Sequence, residues 1–222
     1  MKVVITAATV GEWMPAFASI NNLYTEKSSR FKVQFYQSGV GMLASSVALT
    51  RLAIEDKPDL IIQIGIAGSF KQSTQLGKVV VIDEEILGDT GVEENGAWKD
   101  IFDLKLEKSN YHPFEKRKLP NPWLKKFNLL KLPELNAITV NQISTDAKRI
   151  KQLQKKYKPD VESMEGAALH YIGREMGIPF IQIRAISNLV GERDKSKWLL
   201  KASIDNLNKT VLQYIDALYK IK

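Results

Sequence analysis

An α/β fold, a single domain with a central mixed, mainly parallel sheet flanked by helices, is predicted by three observations in this 222-residue chain. Short apolar runs alternate with longer helical patterns. Several of the runs are apolar on both faces, as strands of a parallel sheet covered by helices must be. No internal repeat, low-complexity tract or linker divides them, so residues 1–222 read as one unit.

Taken in order, residues 2–7 (KVVITA) form a β-branched run suited to a buried strand, and 31–37 (FKVQFYQ) alternate with period two. Gly39 and Gly41 interrupt before 42–56, which carries a helical pattern. Residues 60–66 (LIIQIGI) predict a second fully apolar strand, running into Ala67-Gly68-Ser69, and 79–82 a further one. A long stretch at about 95–135, punctuated by Pro113, Pro120 and Pro122, reads as an irregular basic excursion. Residues 137–140 and 179–187 (PFIQIRAIS) add two strands. The pattern over 165–176 is helical, closed by Gly177 and Pro179. In 146–160 Ile150, Leu153 and Tyr157 are spaced as the buried stripe of a solvated helix. Ile204, Leu207, Val211, Ile215 and Leu218 mark one face of a long C-terminal helix.

Composition excludes several function classes. Without cysteine there is no disulfide framework, thiolate metal site or cysteine nucleophile. Two histidines, His112 and His170, are few for a zinc site or a Ser-His-Asp triad, so no metal or other cofactor is expected. No apolar run spans a bilayer, and the start lacks a signal peptide's apolar stretch; the expectation is a cytoplasmic protein that uses no membrane. The net charge of +7 is local: residues 99–131 sum to +5, residues 146–160 to +4, and the rest to −2. A module binding nucleic acid would interleave aromatics with basic residues on a sheet. Here the strand-like segments are apolar, which argues against a nucleic-acid partner.

In sheets of this kind ligands sit outside the carboxyl ends of the strands. Those ends are residues 9–12, 65–69 and 187–191. Gly65-Ile66-Ala67-Gly68 lets backbone approach a ligand closely, although small residues at a strand end also simply turn the chain. In Val161-Glu162-Ser163-Met164-Glu165-Gly166 two carboxylates flank a methionine before a run of small residues that opens a helix. Glu162 reads either as a site residue or as a first-turn acid offsetting the helix dipole.

The MEGAA motif, followed by IPFIQIRAISN, resembles the nucleoside phosphorylase and nucleosidase superfamily, which cleaves purine N-ribosidic bonds. Glu12, the GIAGSF loop and the Met-Glu helix start fall in that family's order, and the similarity covers essentially the whole chain. RAISNLVG with the following RDKSKW, and the surroundings of Phe102-Asp103-Leu104, are similar to its futalosine hydrolase branch. The resemblance implies a nucleoside phosphorylase-like fold, a small nucleoside substrate, and a homodimer or higher homo-oligomer in which a neighbouring subunit often completes the 5′ region.

It implies roles as well. Glu12 would activate water as general base. Glu165 would accept hydrogen bonds from the ribose hydroxyls as positive charge grows on the sugar, with Met164 packed beneath. Asn188 stands where the family's adenine-releasing nucleosidases have aspartate. A carboxylate accepts from both N7–H and the 6-amino group of adenine, whereas an amide both accepts from N7–H and donates to O6. Asn188 therefore points to a 6-oxopurine, hypoxanthine in the case of futalosine. The same logic fits phosphorylases acting on inosine, and hydrolysis is favoured because the loop around Glu12 has an acid and no arginine to hold phosphate. Ala67, Gly68, Ile143, Ser163 and Met164 are the other expected substrate contacts. Arg193 is expected at the benzoate on futalosine's 5′ side, with the basic excursion and His112 as further candidates and Trp198 as a wall or an ordinary anchor. Arg184, in a strand that reads as buried, is expected as a structural ion-pair partner.

Overall fold

The computed structural model describes residues 1–20 and 31–221. Strand β1 (Lys2–Ala7) leads to α1 (Val10–Ile20), and β2 (Lys32–Gln37) to α2 (Met42–Arg51), which widens into a π-turn over Leu52–Asp56. Then come β3 (Leu60–Ser69), β4 (Val79–Leu87), a hairpin of β5 (Gly91–Glu94) and β6 (Ala97–Asp100), the two-residue β7 (Leu119–Pro120) and the short α3 (Leu124–Phe127). The chain closes with β8 (Glu134–Thr139), α4 (Ala147–Tyr157), β9 (Val161–Ser163), α5 (Gly166–Met176), β10 (Phe180–Leu189) and α6 (Leu200–Lys220).

The main sheet is mixed, with helices on both faces. Its strands run β2-β1-β3-β10-β4-β8-β9, and β9 returns to pair with the far end of β3, so β3, β10, β4, β8 and β9 close a ring. Pairing is parallel within β2-β1-β3-β10 and within β4-β8-β9, and antiparallel where these groups meet, at β10–β4 and β3–β9. Alternation along β1 and β3 assigns the two layers. Val3, Ile5, Leu60 and Ile62 pack with Leu207, Val211 and Ile215 of α6, whereas Val4 and Ile61 pack with Leu49 of α2 and Ala168 and Leu169 of α5.

The expected strands are present, several of them longer than their apolar runs: that at 60–66 continues to Ser69 and that at 79–82 to Leu87. Those added residues are the ring's closure and the site's edge. The helix expected over 42–56 keeps its α form only to Arg51. The stretch at 95–135 holds more regular structure than irregularity predicts, including most of the β5–β6 hairpin, whose turn is Asn95-Gly96 with both residues at positive φ. Among the described residues no helix is long and apolar enough to cross a membrane.

Candidate functional site

The carboxyl ends of β1, β3 and β10, the strand β9 and the start of α5 surround one cavity of about 360 Å³, a volume suited to a small-molecule ligand. Glu12, Ala67, Gly68, Ile143, Ser163, Met164, Glu165 and Asn188 all line it, so eight of the nine residues singled out from the sequence converge. The ninth, Arg193, is exposed and lies outside the lining; its guanidinium sits 5.6 Å from the ring centroid of Trp198, which does line the cavity. The basic excursion contributes nothing to the cavity of its own chain. His112 contacts the Arg174 carbonyl at 3.1 Å, at the end of α5 away from the cavity, and so cannot serve the site from this chain. Lys99, Arg117 and Lys118 are spent on carboxylates of Glu94, Asp100 and Asp103, and Glu84.

Glu12, in the first turn of α1, is buried. One carboxylate oxygen accepts from the Thr9 backbone N–H at 3.0 Å and from its hydroxyl at 3.1 Å, the other from Ile66 N–H at 3.3 Å. A carboxylate held by backbone donors from two strand ends has a fixed direction, as a group that must aim at a water requires. Glu165 occupies the N-cap of α5 without capping it. Its Oε1 accepts from Gly41 N–H at 3.0 Å, and Arg184 Nη1 lies 3.8 Å from its Oε2. Arg184, 2% exposed, also donates to Gln63 at 2.8 Å, which makes it the structural partner its strand position suggests. It passes over β3 at Gly65, where any Cβ would collide with Nη1.

Asn188 follows a register shift between Ile186 and Asn188 in the β10–β3 ladder. Such a bulge re-aims the next side chain, here toward the cavity. Its Oδ1 accepts from the Ser187 hydroxyl at 2.8 Å and its Nδ2 donates to the Leu189 carbonyl at 2.9 Å. The amide keeps one lone pair and one N–H for a ligand. Glu162 lies on β9, before α5 begins, so it caps no helix and the dipole reading of this residue is set aside. Its Oε1 accepts from Ser144 N–H at 3.0 Å. Sequence reasoning passed over Glu192, Val40, Leu200 and Ile204, which also edge the cavity. Ile204 belongs to the apolar stripe of the C-terminal helix, and its pattern alone does not tell core from pocket.

Behind the α5 start lies Glu85, fully buried. It accepts from Gln182 Nε2 and from the Thr139 hydroxyl, each at 2.9 Å, and that hydroxyl in turn accepts from Ala167 N–H at 2.8 Å. Burial pushes the Glu85 carboxyl up to about 7. His170, equally enclosed, donates to the Leu119 carbonyl at 2.6 Å, and burial pushes its pKa down to about 3. Among the described residues no cluster of three or more His, Asp or Glu side chains could hold a metal ion.

A ligand-sized cavity at the carboxyl edge of a ring-closed α/β sheet, walled by apolar groups and a few fixed carboxylates and an amide, defines a protein that acts on a small polar molecule. The chain belongs to the Phosphorylase superfamily, whose family profile matches residues 12–220. It is 26% identical over 178 residues to the futalosine hydrolase of Thermus thermophilus, covering 80% of this chain and 78% of that one. It is 29% identical over 220 residues to the 5′-methylthioadenosine/S-adenosylhomocysteine nucleosidase of Maridesulfovibrio salexigens, covering 88% and 89%. In fold it is similar to the futalosine hydrolase of Helicobacter pylori (TM-score 0.78, 16% identity, 97% of each chain). It is also similar to the methylthioadenosine/S-adenosylhomocysteine nucleosidase of Colwellia psychrerythraea in complex with adenine (TM-score 0.76, 20% identity, 98% and 96% covered).

Proposed function

We propose that this protein is an N-glycosyl hydrolase that cleaves the N-ribosidic bond of a 6-oxopurine nucleoside. Its substrate in this reading is futalosine, which yields hypoxanthine and dehypoxanthine futalosine on an alternative route to menaquinone. The observation that carries the choice of base is Asn188, an amide aimed into the cavity where the adenine-releasing relatives of the resemblance use a carboxylate.

In this reading the purine lies with its N7/O6 edge on Asn188, and the ribose rests on Met164. Cleavage develops positive charge on the sugar, and Glu165 tightens on the ribose hydroxyls as it grows, a gain larger in the transition state than in the bound substrate. Water adds to the sugar as the N-ribosidic bond breaks, and Glu12 takes the proton that this water gives up. The leaving base gains its N7 proton from solvent, with Asn188 accepting from the N7–H so formed and donating to O6. The lining supports water over phosphate as nucleophile. Glu12, Glu162 and Glu165 are part of it, and among the described residues no lysine or arginine is. The nearby Arg184 is already engaged with Glu165 and Gln63, an arrangement that offers a phosphate dianion no free cation. The 5′ benzoate then points to the mouth near Trp198 and Arg193, and a second copy of the chain completes that region in a homo-oligomer.

The test is to incubate the protein with futalosine, inosine and methylthioadenosine, each with and without phosphate, and to chromatograph the released base. Hypoxanthine released from futalosine without phosphate is the expected result. Adenine as the preferred product, or strict dependence on phosphate, overturns the proposal.

A further inference from the structure

The β-ladder sets Asn188, Gly68 and Glu162 side by side. Asn188 pairs with Gly68 across β10–β3, and Gly68 pairs with Glu162 across β3–β9. Residues in register on neighbouring strands face the same side of a sheet. The two polar side chains therefore flank a glycine on one face, about 10 Å apart from Cα to Cα at two strand spacings. Gly68 has no side chain to fill the gap, and a Cβ there would come within 3.2 Å of Asn188 Nδ2. All three residues line the cavity.

Glu162 is 7% exposed. Although Ser144 holds Oε1 through its backbone N–H, and the Ser144 hydroxyl lies close to the carboxylate, the buried Oε2 has no hydrogen-bond partner among the described residues. Leaving a buried carboxylate oxygen without a donor is costly, so a turn of this side chain toward the cavity it lines, onto a donor that the ligand brings, would relieve that cost. Burial raises the Glu162 pKa, which a donor supplied by a ligand would bring back down.

We propose that Glu162 is a specificity-determining residue that accepts the N1–H of a 6-oxopurine. The inference rests on the nucleosidase reading above and deepens it. N7–H, O6 and N1–H follow one another along a single edge of N7-protonated hypoxanthine, in the order acceptor–donor–acceptor that the Asn188 amide and the Glu162 carboxylate present across Gly68. Adenine has a bare N1 and a 6-amino group on that edge, so it would set a lone pair against the Glu162 oxygen. Rejection then comes from two residues on two strands, each leaving a buried group unpaired with the wrong base.

The test measures equilibrium binding of hypoxanthine, 1-methylhypoxanthine and adenine by calorimetry to wild type, Glu162→Gln and Glu162→Ala, with base release from futalosine in parallel. Wild type is expected to favour hypoxanthine over both other bases by about 10- to 100-fold, the worth of one charge-assisted hydrogen bond. In Glu162→Ala the preference over 1-methylhypoxanthine is expected to collapse, and Glu162→Gln is expected to lose most of the preference over adenine. Wild type that binds 1-methylhypoxanthine as well as hypoxanthine overturns the inference without any variant. So does a folded Glu162→Gln that keeps wild-type selectivity while wild type hydrolyses futalosine. Wild type that turns over methylthioadenosine and not futalosine overturns instead the reading on which the inference stands.

Discussion

Glu12, Glu162, Glu165 and Glu192 face the cavity, and among the described residues no lysine or arginine lines it. Residues 99–131 hold nine basic side chains, and Lys99, Arg117 and Lys118 each reach a carboxylate of this same chain. Glu12, Glu162 and Glu165 are buried and anchored chiefly by backbone N–H groups, and Glu192, at the edge, is half-buried and paired with Lys197. Lys99, Arg117 and Lys118, by contrast, are exposed or part-exposed and spent on neighbours. Exposed pairs contribute little, while a buried carboxylate stays only where donors are fixed around it. The strong net charge of a segment thus says little about a site, and a few under-compensated acids say much.

Breaking the acid side has the largest expected effect. Glu12→Gln keeps the shape of the side chain and removes the base, so base release is expected to fall by about 10²- to 10⁴-fold with the melting temperature nearly unchanged. Full activity in that variant removes Glu12 from the chemistry. Glu165→Gln is expected to lower kcat by about 10²- to 10³-fold with a smaller change in KM, because its bonds to ribose strengthen as charge develops. A change confined to KM would instead make Glu165 a plain binding residue. Asn188→Asp sharpens the contrast within the pocket. It is expected to shift the ratio of kcat/KM for futalosine to that for methylthioadenosine toward adenine by about 10- to 100-fold, and an unmoved ratio would relocate the choice of base elsewhere. In the second basic block, residues 146–160, Lys148→Ala removes an exposed pair with Glu93. A denaturant titration is expected to show almost no change in stability, with KM unchanged; a large KM effect would join the basic surface to the site.

The strands were legible because apolar runs mark them directly, and Glu12, Glu165 and Asn188 because they stand at strand ends or a helix start and the family resemblance assigns each a role. Glu162 was ambiguous: its strand is three residues long, too short to show a period, and its neighbour Glu165 invites a helix-start reading. The β5–β6 hairpin carried a readable signal in Asn95-Gly96, masked by the charge of the segment around it. What could not be read was pairing at a distance. Nothing local to Lys118 tells that Glu84 awaits it, and nothing near His112 tells that it meets the far end of α5. Arg184 was the exception, since a lone cation in an apolar strand demands a partner.

Glu85, Gln182 and His170 have a consequence for how the fold meets acid. Gln182 bonds Glu85 and also lies against His170, whose Nε2 is bare once Nδ1–H has gone to Leu119. With Glu85 protonated, Gln182 can turn its oxygen to the carboxyl O–H and its NH₂ to that Nε2, leaving no donor or acceptor stranded. Between about pH 4.5 and 6.5 the folded chain then keeps a proton on Glu85 that the unfolded chain has lost, so stability falls as pH rises. Over the same range it lacks a proton on His170 that the unfolded chain carries, so stability rises. Each slope is about 1.4 kcal/mol per pH unit, and they oppose one another. The trio acts as an internal proton counterweight behind the α5 start, and Glu85→Gln should remove one arm of it. Relative to wild type, the variant's unfolding free energy is expected to climb with pH across that window; parallel curves would show that the two groups do not balance.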